Sequence, residues 1–163
     1  PLCEMNKQKA DRWGFEYKGT DYSPAMIEVC KQNFPDERFE VQDARILKEL
    51  DNSWDAVVVM HCLDHLDDYK AAVYEASRVA KKYVLIVLWR AFVSNGQNRL
   101  NPRNMYGKQE GEEPWEDTYL QEYDRNLLEE EFKINGLEID QIADGETINE
   151  PGKYNFLYLL KKV

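Results

Sequence analysis

A chain of 163 residues, 43% hydrophobic and 32% charged, is sized for one globular domain that buries a real core without disulfide or metal staples. Its net charge of −10 disfavours a duplex nucleic-acid partner, which needs a basic face, and its longest apolar run, Tyr83 to Trp89, is far short of the ~20 residues that cross a bilayer. Cys3, Cys30 and Cys62 are widely spaced and form no metal-ligating pair, which predicts reduced thiols in a cytoplasmic protein.

In chain order, residues 2–13 predict a short helix ending near Gly14, and residues 15–20 (FEYKGT) a strand. Ser23 and Pro24 suit the cap and first turn of a helix that AMIEVCKQNF continues with apolar residues at helical spacing. Residues 38–42 predict a strand that ends just before Asp43. WDAVVVM, residues 54–60, is a β-branched run of the kind buried on both faces and predicts a strand over 55–60. DDYKAAVYEASRVAKK predicts an amphipathic helix with acids in its first turn and lysines in its last, as the helix dipole prefers. Residues 83–89 predict a second buried strand, and 90–118 an irregular insertion. DRNLLEEEFKING predicts a helix stopped by a left-handed cap at Asn135-Gly136. LEIDQIAD and YNFLYLLKK predict two late strands, joined without a helix and therefore antiparallel, with a reversed edge strand over 154–161.

Alternating strands and helices predict right-handed βαβ units in an α/β, Rossmann-like three-layer sandwich, mostly parallel with an antiparallel edge strand, as a single domain over 1–163. In such sheets ligands bind beyond the carboxyl ends of the strands. Asp21 and Asp43 each stand at such an end, one βα unit apart. An acid in the first position can accept both hydroxyls of a ribose, and one in the second an exocyclic amine such as that of adenine. Either can also serve as a helix cap or turn former, a common use of aspartate.

The stretches YKGTDYSPAMIEVCKQNF, FEVQDARIL and WDAVVVMHCLDHLDDYKAAVYEASRVAKKYVLIV resemble the class I S-adenosylmethionine-dependent methyltransferases of small-molecule type, closely over residues 15–89 and more loosely over 123–162. The resemblance implies an enzyme with S-adenosylmethionine as cofactor and a small-molecule acceptor; the scattered cysteines and short apolar runs predict no metal and no membrane partner, and the oligomeric state is left open. It implies that Asp21 binds the ribose hydroxyls, that Tyr22 and Met26 flank the adenine, and that Asp43, with Ala44 beside it, accepts from the adenine amine. Met60 and His61 would lie under the methionine part of the cofactor. His61 is the one candidate general base, with packing as its alternative role, and His65 is a packing and helix-entry residue.

The front of the chain departs from that family. Nothing supplies the opening strand and its DxGxGxG loop, and PLCEMNKQKADRWGF resembles the helix that follows the loop. This predicts an N-terminally truncated fold that lacks a central strand between the family's second and fourth, and weak cofactor binding. Two other readings stay open: a cofactor-less methyltransferase-like binding or regulatory module, and a nicotinamide-dependent oxidoreductase. Residues 89–108 hold three arginines, one lysine and no acid within an otherwise acidic chain. Arg90, Arg99 and Arg103 there can grip an anionic acceptor, or pair with the neighbouring acids to clamp a loop.

Overall fold

The computed structural model describes residues 12, 14–35, 38–88, 92, 99–102, 119–147 and 150–163. The chain divides into two compact units, residues 1–48 and 49–163.

The first unit is a βαβ motif. Strand β1 (Lys18–Asp21) leads through helix α1 (Pro24–Asn33) to strand β2 (Arg38–Val41), and the strands pair in parallel from Lys18↔Arg38 to Asp21↔Val41. Ser23 caps α1 by accepting from the Met26 amide, and Pro24 occupies the first turn, where its missing N–H leaves nothing unsatisfied. Ile27 and Cys30 on one face of α1 pack on Phe39 of β2, with Tyr17 and Phe34 at the margin. Gly19 allows the close approach there: a Cβ would stand 2.7 Å from both Cδ1 and Cε1 of Phe39, so the ring would have to shift. Cys30 is disulfide-bonded, which corrects the expectation of reduced thiols; its partner lies outside the described residues, and Cys62 is in no disulfide. The disulfide removes the cysteine-based ground for a cytoplasmic location.

The second unit is built on a sheet ordered β3-β4-β8-β7, from β3 (Trp54–Met60), β4 (Ala80–Leu88), β7 (Leu137–Thr147) and β8 (Glu150–Lys162). Strands β3 and β4 are parallel and joined by helix α2 (Tyr69–Val79), while β8 is antiparallel to both its neighbours, β4 and β7. So β8 is the reversed strand as expected, but it is an inner one and β7 is the edge. Helix α3 (Arg125–Ile134) precedes β7. It is capped by Asp124, and Gly136 beyond its end adopts φ 68°. Val59, Ile86 and Tyr158 lie in register across three strands. They join Val73 and Ala76 of α2 and Leu128 and Phe132 of α3 in the buried core, where the Phe132 and Tyr158 rings meet edge to face at 5.2 Å.

Three further expectations change. Strand β3 is an edge strand of the described sheet and its Val58 is 50% exposed, so it is not buried on both faces. Helix α2 stops at Val79, so Lys81 and Lys82 belong to β4, and Asp68 is the cap rather than a first-turn residue. Within the stretch read as irregular, Arg99–Pro102 forms β5, paired antiparallel with β6 (Tyr119–Glu122). The expected helix over 2–13 lies outside the described residues, apart from Arg12. Among the described residues, no helix is long and apolar enough to cross a membrane.

The end of β8 is pinned by a lysine. Lys162 Nζ donates to Asn52 Oδ1 at 2.7 Å and to the Ser77 and Ala80 carbonyls at 2.7 and 2.9 Å. Those carbonyls belong to the C-terminal turn of α2, where a cation also meets the negative end of the helix dipole.

Candidate functional site

Parallel pairing of β1 and β2 brings their carboxyl ends side by side, and the Gln42 amide donates to the Asp21 carbonyl at 3.0 Å to hold them so. Asp21 is the last residue of β1. Its Oδ1 accepts from the Ser23 amide at 2.8 Å, closing a tight turn into α1. Its Oδ2 takes no partner among the described residues, and the side chain is exposed. Tyr22 is 74% exposed on the turn and Met26 is partly exposed in the first turn of α1.

Asp43 lies just past β2. Its Oδ1 accepts from the Arg45 amide at 2.9 Å and from Arg45 Nε at 3.0 Å, and its Oδ2 from Arg45 Nη2 at 2.7 Å. This fork holds the Asp43 carboxyl below its usual range, against a smaller opposing effect of burial. Ala44 sits half-buried in the same turn. Both acids therefore act as turn formers in this structure. Asp21 keeps an oxygen facing solvent, whereas Asp43 is already engaged. Arg45 is the residue that sequence reasoning missed here. The D-x-R spacing, which lets a guanidinium fold back over a turn, was the available signal.

Met60 and His61 belong to the second unit, at the carboxyl end of β3. His61 has φ 49°, a left-handed backbone uncommon outside glycine, and its amide donates to the Val87 carbonyl at 2.9 Å. The ring is half-buried. Burial first, and His65 second, lower its pKa from 6.5, so it is neutral at pH 7 and able to take up a proton. A short 3-10 turn, Leu63–His65, follows and leads into α2.

Thus the structure gathers Asp21, Tyr22, Met26, Asp43 and Ala44 at one end of the β1–β2 pair, and sets Met60 and His61 at the end of β3. Arg90 and Arg103 lie outside the described residues, and so does the Arg99 side chain, although the Arg99 backbone is in β5. Among the described residues no group of three or more His, Cys, Asp or Glu side chains is disposed to hold a metal.

Residues 4–88 match the family model described as "Methyltransferase domain". A demethylmenaquinone methyltransferase from Renibacterium salmoninarum is 37% identical over 68 residues, 42% of this chain and 29% of that protein, so the match spans under a third of the curated relative. Among solved structures, an S-adenosylmethionine-dependent methyltransferase from Methanosarcina mazei aligns with TM-score 0.71 at 18% identity, covering 96% of this chain and 86% of the other. The 1,6-didemethyltoxoflavin-N1-methyltransferase of Burkholderia thailandensis, solved with 1,6-didemethyltoxoflavin and S-adenosylhomocysteine, aligns with TM-score 0.66 at 14% identity, covering 92% and 62%.

Proposed function

Because this chain belongs to the methyltransferase domain family, we propose that it serves methyl transfer from S-adenosylmethionine to a small-molecule acceptor. One observation of the site carries the reading. Two acids stand at adjacent carboxyl ends of a parallel pair, the first with a solvent-facing carboxylate oxygen and an exposed tyrosine and methionine beside it. That set suits a nucleoside, with an anion for the ribose diol and apolar side chains for a flat base. The fit is good at Asp21, whose Oδ2 has no partner among the described residues. At Asp43 the amine of a base would have to share the carboxylate with Arg45. The names of two relatives, one acting on demethylmenaquinone and one on 1,6-didemethyltoxoflavin, favour a small cyclic acceptor over a macromolecule.

The cofactor, when bound, supplies an electrophilic methyl group on a sulfonium. The chain's own residues would then bind and align. Asp21 would hold the ribose, Tyr22 and Met26 the base, and Met60 the apolar surroundings of the methionine part. Alignment is the main rate contribution such a site can make when the acceptor is already nucleophilic. His61, neutral at pH 7, is the group suited to receive an acceptor proton where the acceptor carries one. Arg90, Arg99 and Arg103 are proposed to face an anionic part of that acceptor.

The test is calorimetric titration of the full chain, as its gene encodes it, with S-adenosylhomocysteine and separately with NAD. S-adenosylhomocysteine should bind in preference. Asp21→Ala should weaken it by about 1.5–3 kcal/mol, roughly 10- to 150-fold, the value of a hydrogen-bonding group that carries charge. Preference for NAD would point to an oxidoreductase, and binding of neither to a module without a cofactor.

A further inference from the structure

We propose that Tyr123 is a positioning residue for His61, its hydroxyl fixing the turn over residues 61–65 from the opposite end of the chain segment that returns to the sheet. The inference rests on the methyltransferase reading only for what His61 does, not for how it is held.

A non-glycine residue at φ 49° is strained backbone, and such strain persists only where the surroundings over-determine it. Two long-range bonds do so here. On one side, the His61 amide donates to the Val87 carbonyl of β4 at 2.9 Å. On the other, two residues downstream, the Leu63 carbonyl accepts the Tyr123 hydroxyl at 2.8 Å, a bond buried and 60 residues long in sequence. Between these anchors the turn also closes on itself through local bonds, His65 amide to Cys62 carbonyl and Leu66 amide to Leu63 carbonyl, both 3.1 Å.

Tyr123 is itself firmly placed. It is 3% exposed, and its ring meets Tyr69, the first residue of α2, edge to face at 5.0 Å and 78°. The next residue, Asp124, caps α3 by accepting from the Asn126 and Leu127 amides. The preceding residue, Glu122, pairs with Arg99 in the β5–β6 ribbon. Burial first, and then the Asp64 carboxylate, push the Tyr123 phenol well above its usual pKa, so it remains a donor at any working pH. One hydroxyl thus links three things: the ribbon, the start of α3 and the main chain two residues past His61.

Tyr123→Phe keeps the ring and its contact with Tyr69 and deletes only the hydroxyl. The readout is the NMR titration of the two histidine imidazoles, which needs neither cofactor nor acceptor, so it is independent of the proposed activity. With the turn released, His61 loses burial, and its midpoint should rise toward 6.5 by more than the spread between repeat titrations. Tyr69→Leu, which loosens the same ring but keeps the hydroxyl, should move it the same way by less. Tyr158→Phe deletes a hydroxyl that donates to Glu129 at 3.0 Å in the α3 packing, and should leave the His61 midpoint unchanged while lowering the melting temperature comparably. An unmoved His61 midpoint in both Tyr123→Phe and Tyr69→Leu, or an equal shift in Tyr158→Phe, would overturn the assignment.

Discussion

Lys162 offers a direct test of how the second unit is closed. Its ammonium spends all three protons, on Asn52 Oδ1 and on the Ser77 and Ala80 carbonyls, at 2.7, 2.7 and 2.9 Å. Lys162→Met keeps the aliphatic stem and removes the charge and the donors. The Asn52 acceptor is exposed and water replaces the lost partner there, so that contact contributes little. The two part-buried carbonyls are different. Each is bonded to a charged donor, for which the lower end of the usual range is about 1.5 kcal/mol, giving about 3 kcal/mol for the pair. A chain of this size loses roughly 2–4 °C of melting temperature per kcal/mol, so the expected drop is about 6–12 °C. Thermal unfolding followed by far-ultraviolet circular dichroism at pH 7 measures it. Lys162→Arg should recover less than half, because a flat guanidinium fork does not spread donors in three directions as an ammonium does. A drop under about 2 °C for Lys162→Met would show that the fan of bonds adds nothing beyond what water supplies, and that the closure of β8 rests on apolar packing alone.

Gly19→Ala should destabilise by about 1–3 kcal/mol, read as a lower denaturant midpoint, because the added methyl lands 2.7 Å from the ring of Phe39, which is buried and must shift. His61 makes stability pH-dependent in a definite direction. Its folded pKa is depressed by burial and by His65, so the unfolded chain binds the proton more readily, and stability should fall as pH drops through the ordinary value of 6.5; chemical denaturation at pH 7.5 and 5.5 measures this, and His61→Asn, which keeps a residue tolerant of positive φ, should flatten that part of the profile. Asp43 acts in the same direction at lower pH, since the Arg45 fork that lowers its pKa is lost on protonation; Asp43→Asn should leave the acid limb shallower in the same titration.

The parts of the fold that were legible in the sequence are those set by local chemistry. Ser23 and Pro24 open α1, Asp124 opens α3 and Gly136 closes it, because caps and left-handed positions restrict the residue type directly. Strand order was less legible. WDAVVVM reports a strong preference for extended backbone, but branching at Cβ says nothing of how many neighbours a strand has, and Val58 is half exposed at an edge. The same limit hid that β8, not β7, lies inside the sheet. The run AKKYVL was ambiguous because alanine and lysine serve a helix as well as an exposed strand, and an extended Ala80 ends α2 early. At the candidate site, Asp21 and Asp43 were found by their place after strands. The Arg45 fork over Asp43 was not, since it depends on a turn that folds a long side chain back on itself. Tyr123 was invisible for a plainer reason: its partner is a main-chain carbonyl 60 residues away.

The inner position of β8 has a consequence for the order in which the chain is made. Strands β4 and β7 share no bond of their own; β8, from Glu150 to Lys162, is what joins them. During synthesis, β3, α2 and β4 emerge as a contiguous βαβ unit and can assemble as they appear, but β7 has no place to dock until the strand after it has been translated. The free side of β4, with Val84, Ile86 and Leu88 in register for β8, therefore stays an open, apolar strand edge throughout elongation of residues 89–149. Such an edge is a template for pairing with other nascent chains, so the nascent protein is exposed to misassembly while residues 89–149 are made, and the emergence of β8 is the event that ends the hazard.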